Sequence, residues 1–413
     1  MGRSTGDSRQ AAPDSGSLLS LLMFIVGFNL QSGIFIVGPL LPGLSADLGI
    51  SGSVAGALAA IPPLMMGLWA IPGGGLSQRL GPGRTIGLGL AMVGIAGALR
   101  GAAPNWQALL VLTVAFGAGI GIMQPAGPAF IRQHAASRVG PVTSIYTFGL
   151  VGGIIVASGL AGPLIAPLAG GWRGALIFWG ILSILGAIAW FLAVRPGATD
   201  PAAERAAEAS VLANPAWSPW RSRTVWILAA LYATQGITFF LLGLWLPAIY
   251  GDAGLSAGAI GARMTVLAAA SLPSILLMPA WSDRLGSMRL PMIVSAVITL
   301  AGAAGFVAAT TAPVVDWLWP LLAGFGVGGV LVLVLVAVAV VSPPDRTGDA
   351  AAMVLAVGYT TTALGPFLAG VIRDLSGGYR TALLVLPVVA IAMILLSAAM
   401  PAARAEPAPD DAA

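Results

Sequence analysis

The 413-residue chain contains no cysteine, and only 8% of its residues are charged. The absence of cysteine excludes disulfides and thiol chemistry. Soluble domains carry about 25% charged residues, so this chain lacks the polar groups that would cover a water-soluble fold. All of its 19 basic residues are arginine, and they form no basic run with interleaved aromatic residues. We therefore expect no nucleic-acid partner, although the net charge is +4.

Long apolar runs take the place of the missing charge, since 58% of the residues are hydrophobic. Each run is long enough to cross a bilayer as a helix of about 20 residues, and none shows the alternating polarity of a membrane β-barrel. The sequence predicts an all-α integral membrane protein with twelve transmembrane helices in two six-helix pseudo-symmetric halves. The predicted spans are 17–42, 51–76, 85–102, 107–131, 141–168, 174–194, 225–250, 257–280, 290–312, 318–341, 351–372 and 381–400. Several of them contain prolines, which we expect to interrupt the helices.

Polar stretches divide the chain into five parts. The predicted parts are a cytoplasmic tail at 1–16, an N-terminal six-helix half at 17–194, a cytoplasmic linker at 195–224, a C-terminal half at 225–400 and a second tail at 401–413. The first tail has no signal-peptide pattern.

The arginines predict the orientation of these spans in the membrane. Those on the side of the chain termini are Arg3, Arg9, Arg79, Arg84, Arg132, Arg138, Arg195, Arg205, Arg221, Arg223, Arg284, Arg289, Arg346 and Arg404. Those on the opposite side are Arg100, Arg173, Arg373 and Arg380. The positive-inside rule then predicts that both termini are cytoplasmic, with the protein in a bacterial inner membrane.

The two halves carry an internal repeat. The segment Ser51–Gly81 aligns without gaps to Ser256–Gly286, so that "SGSVAGALAA" matches "SAGAIGARMT" and "LSQRLG" matches "WSDRLG". Later, "GGWR" at Gly170 echoes "GGYR" at Gly377. Two parallel repeats are typical of transporters that rock their halves about a central site.

The loops after spans two and eight resemble the loop signature of the major facilitator superfamily, usually written G-x-x-x-D-R-x-G-R. The second copy keeps Asp283 and Arg284, whereas the first has Arg79 with Gln78 at the acidic position. The resemblance implies the major facilitator fold and secondary transport by alternating access. In that fold an Asp–Arg pair can latch neighbouring helix ends; alternatively, these arginines only anchor the loops on the cytoplasmic side.

Shorter strings resemble the cyanate/2-nitroimidazole porter branch of that superfamily. They are "GPLLP" from Gly38, "GALR" from Gly97, "GIGIMQ" from Gly119, "WLPAIY" from Trp245 and "LSGGY" from Leu375. The branch implies a small anion as substrate: cyanate-like, nitrate-like or a small carboxylate. One departure is that span one reads Asn29-Leu30-Gln31, where the branch has Asn-x-Arg.

Arg263 is a permanent cation within predicted span eight, and its counterpart in the first repeat is Leu58. A guanidinium stays charged in a protein, and at bilayer depth it costs about 2.5–3.5 kcal/mol on insertion scales. Its planar fork suits carboxylate-like or nitrate-like groups, and the predicted spans offer no interior carboxylate to pair with it. We therefore predict that Arg263 binds an anionic substrate. The alternative is a structural arginine that bonds to backbone carbonyls or faces the outer vestibule.

Uncharged polar residues within the spans are further candidates for the substrate site, because they donate hydrogen bonds without adding charge. The candidates are Asn29, Gln31, Gln124, Tyr146, Gln235, Trp245, Tyr359 and Thr362. The superfamily resemblance favours Asn29, Gln124 and Tyr359, since spans one, four and eleven commonly border its cavity. The alternative for each candidate is a role in helix–helix packing, and for Trp245 a place in an interfacial aromatic belt.

These patterns predict a secondary transporter for a small anion, embedded as a monomer in the lipid bilayer, with no cofactor and no metal. Proton-driven carriers commonly use a buried Asp, Glu or His; the single histidine, His134, falls in a loop, so exchange, facilitated diffusion or symport of a substrate-borne proton is favoured. One alternative is an exporter of small apolar or nitroaromatic drugs, and another is a transport-inactive membrane receptor. An enzyme is not expected, because no nucleophile–base–acid set is present.

Overall fold

The computed structural model describes residues 15–135, 138–194, 217–308, 317–343 and 346–401. Most of the predicted linker and nearly all of both predicted tails lie outside the described residues. Within the described part, twelve helical segments are long and apolar enough to cross a membrane, and no strand is present. The predicted all-α fold with twelve spans is therefore confirmed.

We number these segments span 1 to span 12. Their helices are Ser15–Phe35 with Val37–Leu48 (span 1), Gly52–Leu80 (span 2), Pro82–Gly101 (span 3), Trp106–Met123 with Ala126–His134 (span 4), Val139–Leu160 with the π-helical turn Ala161–Ile165 and Ala166–Leu168 (span 5), Trp172–Ala193 (span 6), Arg223–Asp252 (span 7), Ala257–Ala269 with Ser271–Leu285 (span 8), Arg289–Ala308 (span 9), Leu318–Val341 (span 10), Thr347–Thr362 with Leu364–Ser376 (span 11), and Tyr379–Leu383 with Val385–Ala398 (span 12). A short 3₁₀ helix, Pro219–Arg221, precedes span 7.

An even number of crossings brings the first and last described residues to the same side of the membrane. We call this side the terminal side and the opposite side the distal side. Odd-numbered spans run from the terminal to the distal side, and even-numbered spans return.

Several spans are broken at a position set by proline. Proline has no N–H to donate, and its ring clashes with the carbonyl four residues earlier, so the helix is interrupted just before it. The breaks end at Ile36 before Pro39, at Pro125 before Pro128, at Ala270 before Pro273, at Ala363 before Pro366 and at Leu384 before Pro387. Span 2 is different: it stays helical through Pro62, Pro63 and Pro72, so the predicted interruption is wrong there.

Spans 1–6 pack mainly on one another, as do spans 7–12; we call them the N-terminal set and the C-terminal set. In the N-terminal set span 1 packs against span 5, span 3 against span 6 and span 2 against span 4. In the C-terminal set span 7 packs against span 11, and span 9 against spans 10 and 12. Glycine allows close approach within each set: Gly121 lies against the Met65 carbonyl of span 2, and Gly324 against the Leu267 carbonyl of span 8.

The most extensive contacts between the two sets within the described residues lie at three pairs of spans. Span 2 packs against span 11, span 5 against span 8, and the distal part of span 1 against span 7. The internal repeat relates span 2 to span 8 and span 5 to span 11, so the first two contacts are repeat-related. Any site between the sets is thus bordered by the polar side chains of these spans.

Candidate substrate site

A hydrogen bond joins the two sets near mid-span. The Gln124 side-chain amide donates to the Tyr359 hydroxyl over 3.0 Å. Gln124 lies at the break in span 4, and Tyr359 lies twelve residues, or about 18 Å of helix, from the terminal-side start of span 11 at Thr347. The structure therefore brings together two of the residues that the sequence singled out, from opposite sets.

Two more tyrosines complete this polar cluster. The Tyr232 ring of span 7 packs edge-on against the Tyr359 ring, with centroids 5.2 Å apart. Tyr146 of span 5 lies close enough to Tyr359 to interact electrostatically. We call Gln124, Tyr146, Tyr232 and Tyr359 the central cluster. Sequence reasoning missed Tyr232, although its hydroxyl-bearing ring lies one turn before Gln235 on the same span.

Thr362 and Gln235 lie close to the central cluster along the same two spans. The Thr362 hydroxyl is buried and donates to the Ala233 carbonyl of span 7 over 3.5 Å. Gln235 is buried on span 7 beside Gly236, which contacts Thr362. Thr362 therefore joins spans 7 and 11 within the C-terminal set, as the packing interpretation of this residue expected.

Asn29 and Gln31 are separate from the central cluster. The Asn29 carbonyl oxygen accepts from the Ser183 hydroxyl over 2.6 Å, and its amide donates to the Ile25 carbonyl over 2.8 Å. These bonds hold Asn29 between spans 1 and 6, inside the N-terminal set. The Oε1 atom of Gln31 is buried, with no hydrogen-bond partner within the described residues.

Arg263 is buried in the distal half of span 8, with 7% of its surface exposed. It is six residues from the start of the helix at Ala257, or about 9 Å along the axis. Its Nη1 donates to the Ala259 carbonyl over 3.1 Å, and its guanidinium carbon lies 4.5 Å from the ring centroid of Trp317 and 5.6 Å from that of Tyr250. The bond to a backbone carbonyl is the contact that the structural interpretation of Arg263 expected, and the residue does not belong to the central cluster.

Trp245 is also in the distal half. Its indole N–H donates to the Pro366 carbonyl over 3.2 Å, and its ring is buried between spans 7 and 11. A tryptophan in an interfacial belt would instead present its ring to the bilayer.

The residues of the loop signature lie at the terminal side. Arg79 at the end of span 2, and Asp283 and Arg284 at the end of span 8, are all exposed. This position is remote from the central cluster.

On the distal side, a carboxylate of one set caps a helix of the other. Asp374 of span 11 accepts from the backbone N–H of Gly52 over 2.6 Å and from that of Ser53 over 2.7 Å. These N–H groups open span 2 and have no acceptor within their own helix. A carboxylate at a helix N-terminus gains both charge-assisted hydrogen bonds and the helix dipole. Sequence reasoning did not identify Asp374.

Backbone contacts extend this distal closure. An added Cβ at Gly56 would lie 2.6 Å from the Pro366 carbonyl oxygen, and one at Gly38 would lie 2.6 Å from that of Gly243. An added Cβ at Gly261 of span 8 would lie closer still to the Gly159 carbonyl oxygen of span 5. Near the middle of span 2, an added Cβ at Gly67 would still lie 2.6 Å from the Thr360 backbone nitrogen of span 11, whereas Gly74 and Gly75, closer to the terminal side, have no neighbour within 4 Å.

The buried charges in the described part of the chain are two arginines, Arg100 and Arg263. The sequence predicted that Arg100 would lie at the distal membrane surface. It is instead 2% exposed inside the N-terminal set, over the Phe116 ring. Among the described residues no Asp or Glu is buried.

The sequence of the chain matches the family model of the Major Facilitator Superfamily over residues 22–361. The protein belongs to this superfamily and is therefore a membrane transporter, as its loop signature predicted.

Relatives and solved structures agree with this membership. The chain is 28% identical to the cyanate transport protein CynX of Escherichia coli (strain K12), over 87% of this chain and 91% of the relative. It is also 28% identical to the uncharacterized transporter YycB of Bacillus subtilis (strain 168), over 86% of each chain. A 2-nitroimidazole transporter of E. coli is 24% identical over 86% of this chain and 88% of its own. The crystal structure of a D-xylose-proton symporter shares the fold with a TM-score of 0.74 at 14% identity, covering 94% of this chain and 99% of that one.

Proposed function

We propose that this protein is a secondary transporter of a small anion, of cyanate-like, nitrate-like or small-carboxylate type, that binds at the central cluster. The observation that carries the proposal is the hydrogen bond between Gln124 and Tyr359, which links the two sets at mid-span. A substrate that replaces this bond would be held by both sets at once, which alternating access requires.

The chemistry of the central cluster favours an anion over a cation. One amide and three phenols supply N–H and O–H donors, while the described residues offer no buried carboxylate to neutralise a cation. The named substrates of several relatives point the same way, since cyanate, L-galactonate and 4-hydroxybenzoate are anions at neutral pH.

Arg263 is the cation that we assign to substrate binding. Its place in the distal half of span 8 makes it a first contact for an anion that enters while the distal side is open. The aromatic rings of Tyr250 and Trp317 flank the guanidinium and would screen a bound anion from water. Arg263 then acts before the central cluster rather than within it.

The orientation of the protein follows from its arginines. We infer that the terminal side is cytoplasmic in a bacterial inner membrane. The distal closure then makes the described arrangement inward-facing, with the two sets as the units that rock about the central cluster. Because the described spans bury no carboxylate, we propose anion exchange, facilitated diffusion or entry with a substrate-borne proton.

Uptake of labelled compounds into proteoliposomes tests this proposal. We expect uptake of at least one of cyanate, nitrate, formate and 4-hydroxybenzoate, and competition among those that bind. If the protein transported 2-nitroimidazole but none of these anions, the result would contradict anion transport. It would support the alternative function, the transport of nitroaromatic compounds out of the cell.

Substitutions then test the site. A hydrogen bond to a charged group contributes about 1.5–3 kcal/mol, so Tyr359→Phe and Gln124→Ala should each lower uptake at least about tenfold. The matched control is Gln107→Ala, which replaces an exposed glutamine on the same span as Gln124.

A second set of substitutions tests Arg263. Arg263→Met should abolish uptake, and Arg263→Lys should weaken it sharply. The control is Arg223→Ala, which removes an exposed arginine. Normal anion uptake by Arg263→Met would remove Arg263 from the mechanism while leaving the central cluster in place.

A further inference from the structure

We propose that Arg100 holds a small monovalent anion in a cavity inside the N-terminal set. Arg100 is the next-to-last residue of span 3, yet its side chain turns inward among spans 1, 4 and 6. The guanidinium is buried and remains charged there. A buried cation requires either an opposite charge or a complete set of hydrogen-bond acceptors.

The side chain lines a small, partly open cavity between the spans of this set, with room for about one water-sized particle. Its lining includes Gly33, Gly97, Arg100, Phe116, Trp179 and Ser183. Much of this lining is apolar. The small space limits a ligand to a monatomic ion or a molecule of similar size, and it excludes a sugar acid or an aromatic acid.

The hydrogen bonds around the cavity leave the Arg100 guanidinium, which has five N–H donors, short of acceptors. Arg100 donates through Nη1 to the Gly33 carbonyl over 3.3 Å, while its buried Nε has no partner within the described residues. The other polar groups of the cavity bond within the protein: the Trp179 indole donates to Ser32, and the Ser183 hydroxyl donates to Asn29. A ligand that accepts a hydrogen bond from Nε would therefore complete the site.

Charge distinguishes an anion from water as that ligand. In the described part of the chain no carboxylate pairs with Arg100. Asp47, at the distal end of span 1, is held instead by Arg173 over 3.1 Å and by the indole of Trp172. The Phe116 ring, 4.6 Å from the guanidinium carbon, offsets part of the charge. A water molecule at Nε would accept the hydrogen bond but would leave the positive charge uncompensated. A weakly hydrated anion such as bromide would accept the hydrogen bond and also neutralise the charge.

This site does not rest on the proposed function. Its lining belongs to a single set, and none of the four residues of the central cluster contributes to it. An anion there would stabilise the N-terminal set whether or not the transported substrate is an anion.

The test is thermal unfolding of the full-length protein in detergent, titrated with sodium bromide against sodium gluconate at constant ionic strength. A ligand that binds only the folded state raises the melting temperature by mass action, so we expect a saturable rise with bromide alone. Arg100→Met should lose this rise, and Arg263→Met should keep it. Diffraction at the bromine absorption edge should place an anomalous peak beside Arg100 Nε.

A second variant leaves the arginine intact, so that the test does not depend on whether Arg100→Met folds. A methyl group on Gly97 would lie 3.5 Å from the Gly180 Cα and 3.7 Å from Phe116 Cδ2, which is ordinary contact without a clash. Gly97→Ala should fill part of the cavity and weaken bromide binding about tenfold or more. Gly152→Ala, where a methyl group has no neighbour within 4 Å, is the matched control.

Three outcomes would overturn the proposal. Bromide and gluconate could have the same effect on the melting temperature of the wild type, or Gly97→Ala could respond to bromide as Gly152→Ala does. The third outcome is an anomalous peak beside Arg263 instead of Arg100.

Discussion

The distal and terminal sides of the interface between the two sets are built from different kinds of contact. On the distal side, glycine brings backbone against backbone, and the Asp374 carboxylate caps span 2. On the terminal side, the charged residues of the loop signature are exposed, and Gly74 and Gly75 meet no neighbour. Distal closure therefore depends on close backbone contact and one carboxylate, whereas closure of the terminal side would have to use side chains that are exposed in this arrangement.

The two repeat-related contacts on the distal side also differ from each other. The N-terminus of span 2 is capped by its own Ser51 and by Asp374 of the other set, whereas span 8 is capped by its own Ser256. In the first repeat, the position that corresponds to Asp374 is Pro167, which has no carboxylate. The charged part of the closure therefore lies on the span 2–span 11 contact.

The largest effect should come from a side chain that holds the distal side apart. In Gly56→Leu, the new side chain would meet the backbone of Pro366 and Phe367, which cannot rotate away, so span 2 must move off span 11. We expect uptake to fall to background. The chain has no cysteine, so Thr265→Cys introduces a single reporter thiol at the contact between spans 5 and 8. An impermeant maleimide added from the distal side should react with this thiol faster when Gly56→Leu is also present.

Gly75→Leu is the matched control on the same span, where no neighbour lies within 4 Å. If Gly56→Leu and Gly75→Leu have the same uptake and the same labelling rate, the distal contacts do not close the protein, and the two sides of the interface do not differ in function.

Asp374→Asn should give the next largest effect. The substitution removes the charge from two short hydrogen bonds that together close the distal end, and charged hydrogen bonds contribute about 1.5–3 kcal/mol. We expect the equilibrium to shift toward the distal-open state by at least about tenfold, read as faster labelling of Thr265→Cys. Asp252→Asn, an exposed carboxylate on the same side, should leave the labelling rate unchanged; an equal response of both variants would exclude the cap.

The smallest effect should come from the terminal side. The Asp283 carboxylate is exposed, and exposed charged groups contribute about 0–1 kcal/mol, so Asp283→Asn should change the labelling rate less than about fivefold. If Asp283→Asn changed the labelling rate as much as Asp374→Asn does, the terminal loops would control the equilibrium between the distal-closed and distal-open states as strongly as the distal contacts do.

The sequence predicted the fold well because each span is specified locally. A helix satisfies its own backbone within the bilayer, so apolar runs between polar breaks located all twelve spans, with ends that differ by at most six residues from those of the described helices. Proline chemistry is also local, and the breaks at Ala270 and Ala363 follow from Pro273 and Pro366. Span 2 shows the limit of this reasoning, since its three prolines leave the helix continuous.

The site was harder to predict because hydropathy does not say which way a residue faces. Gln124 and Tyr359 were identified, but so was Asn29, which bonds to Ser183 inside one set. Arg100 was assigned to the membrane surface because it ends a span, although the neighbouring spans bury it.

The amino-acid sequence by itself determined that this chain is a twelve-span membrane protein of two related halves with a scarcity of intramembrane charge. These properties come from composition and from interactions within single helices. The tertiary structure alone decided that Gln124 meets Tyr359, that Asp374 caps span 2 and that Arg100 turns into a cavity. Each of these pairs residues that are distant along the chain, and their meeting depends on how whole helices rotate and pack against one another.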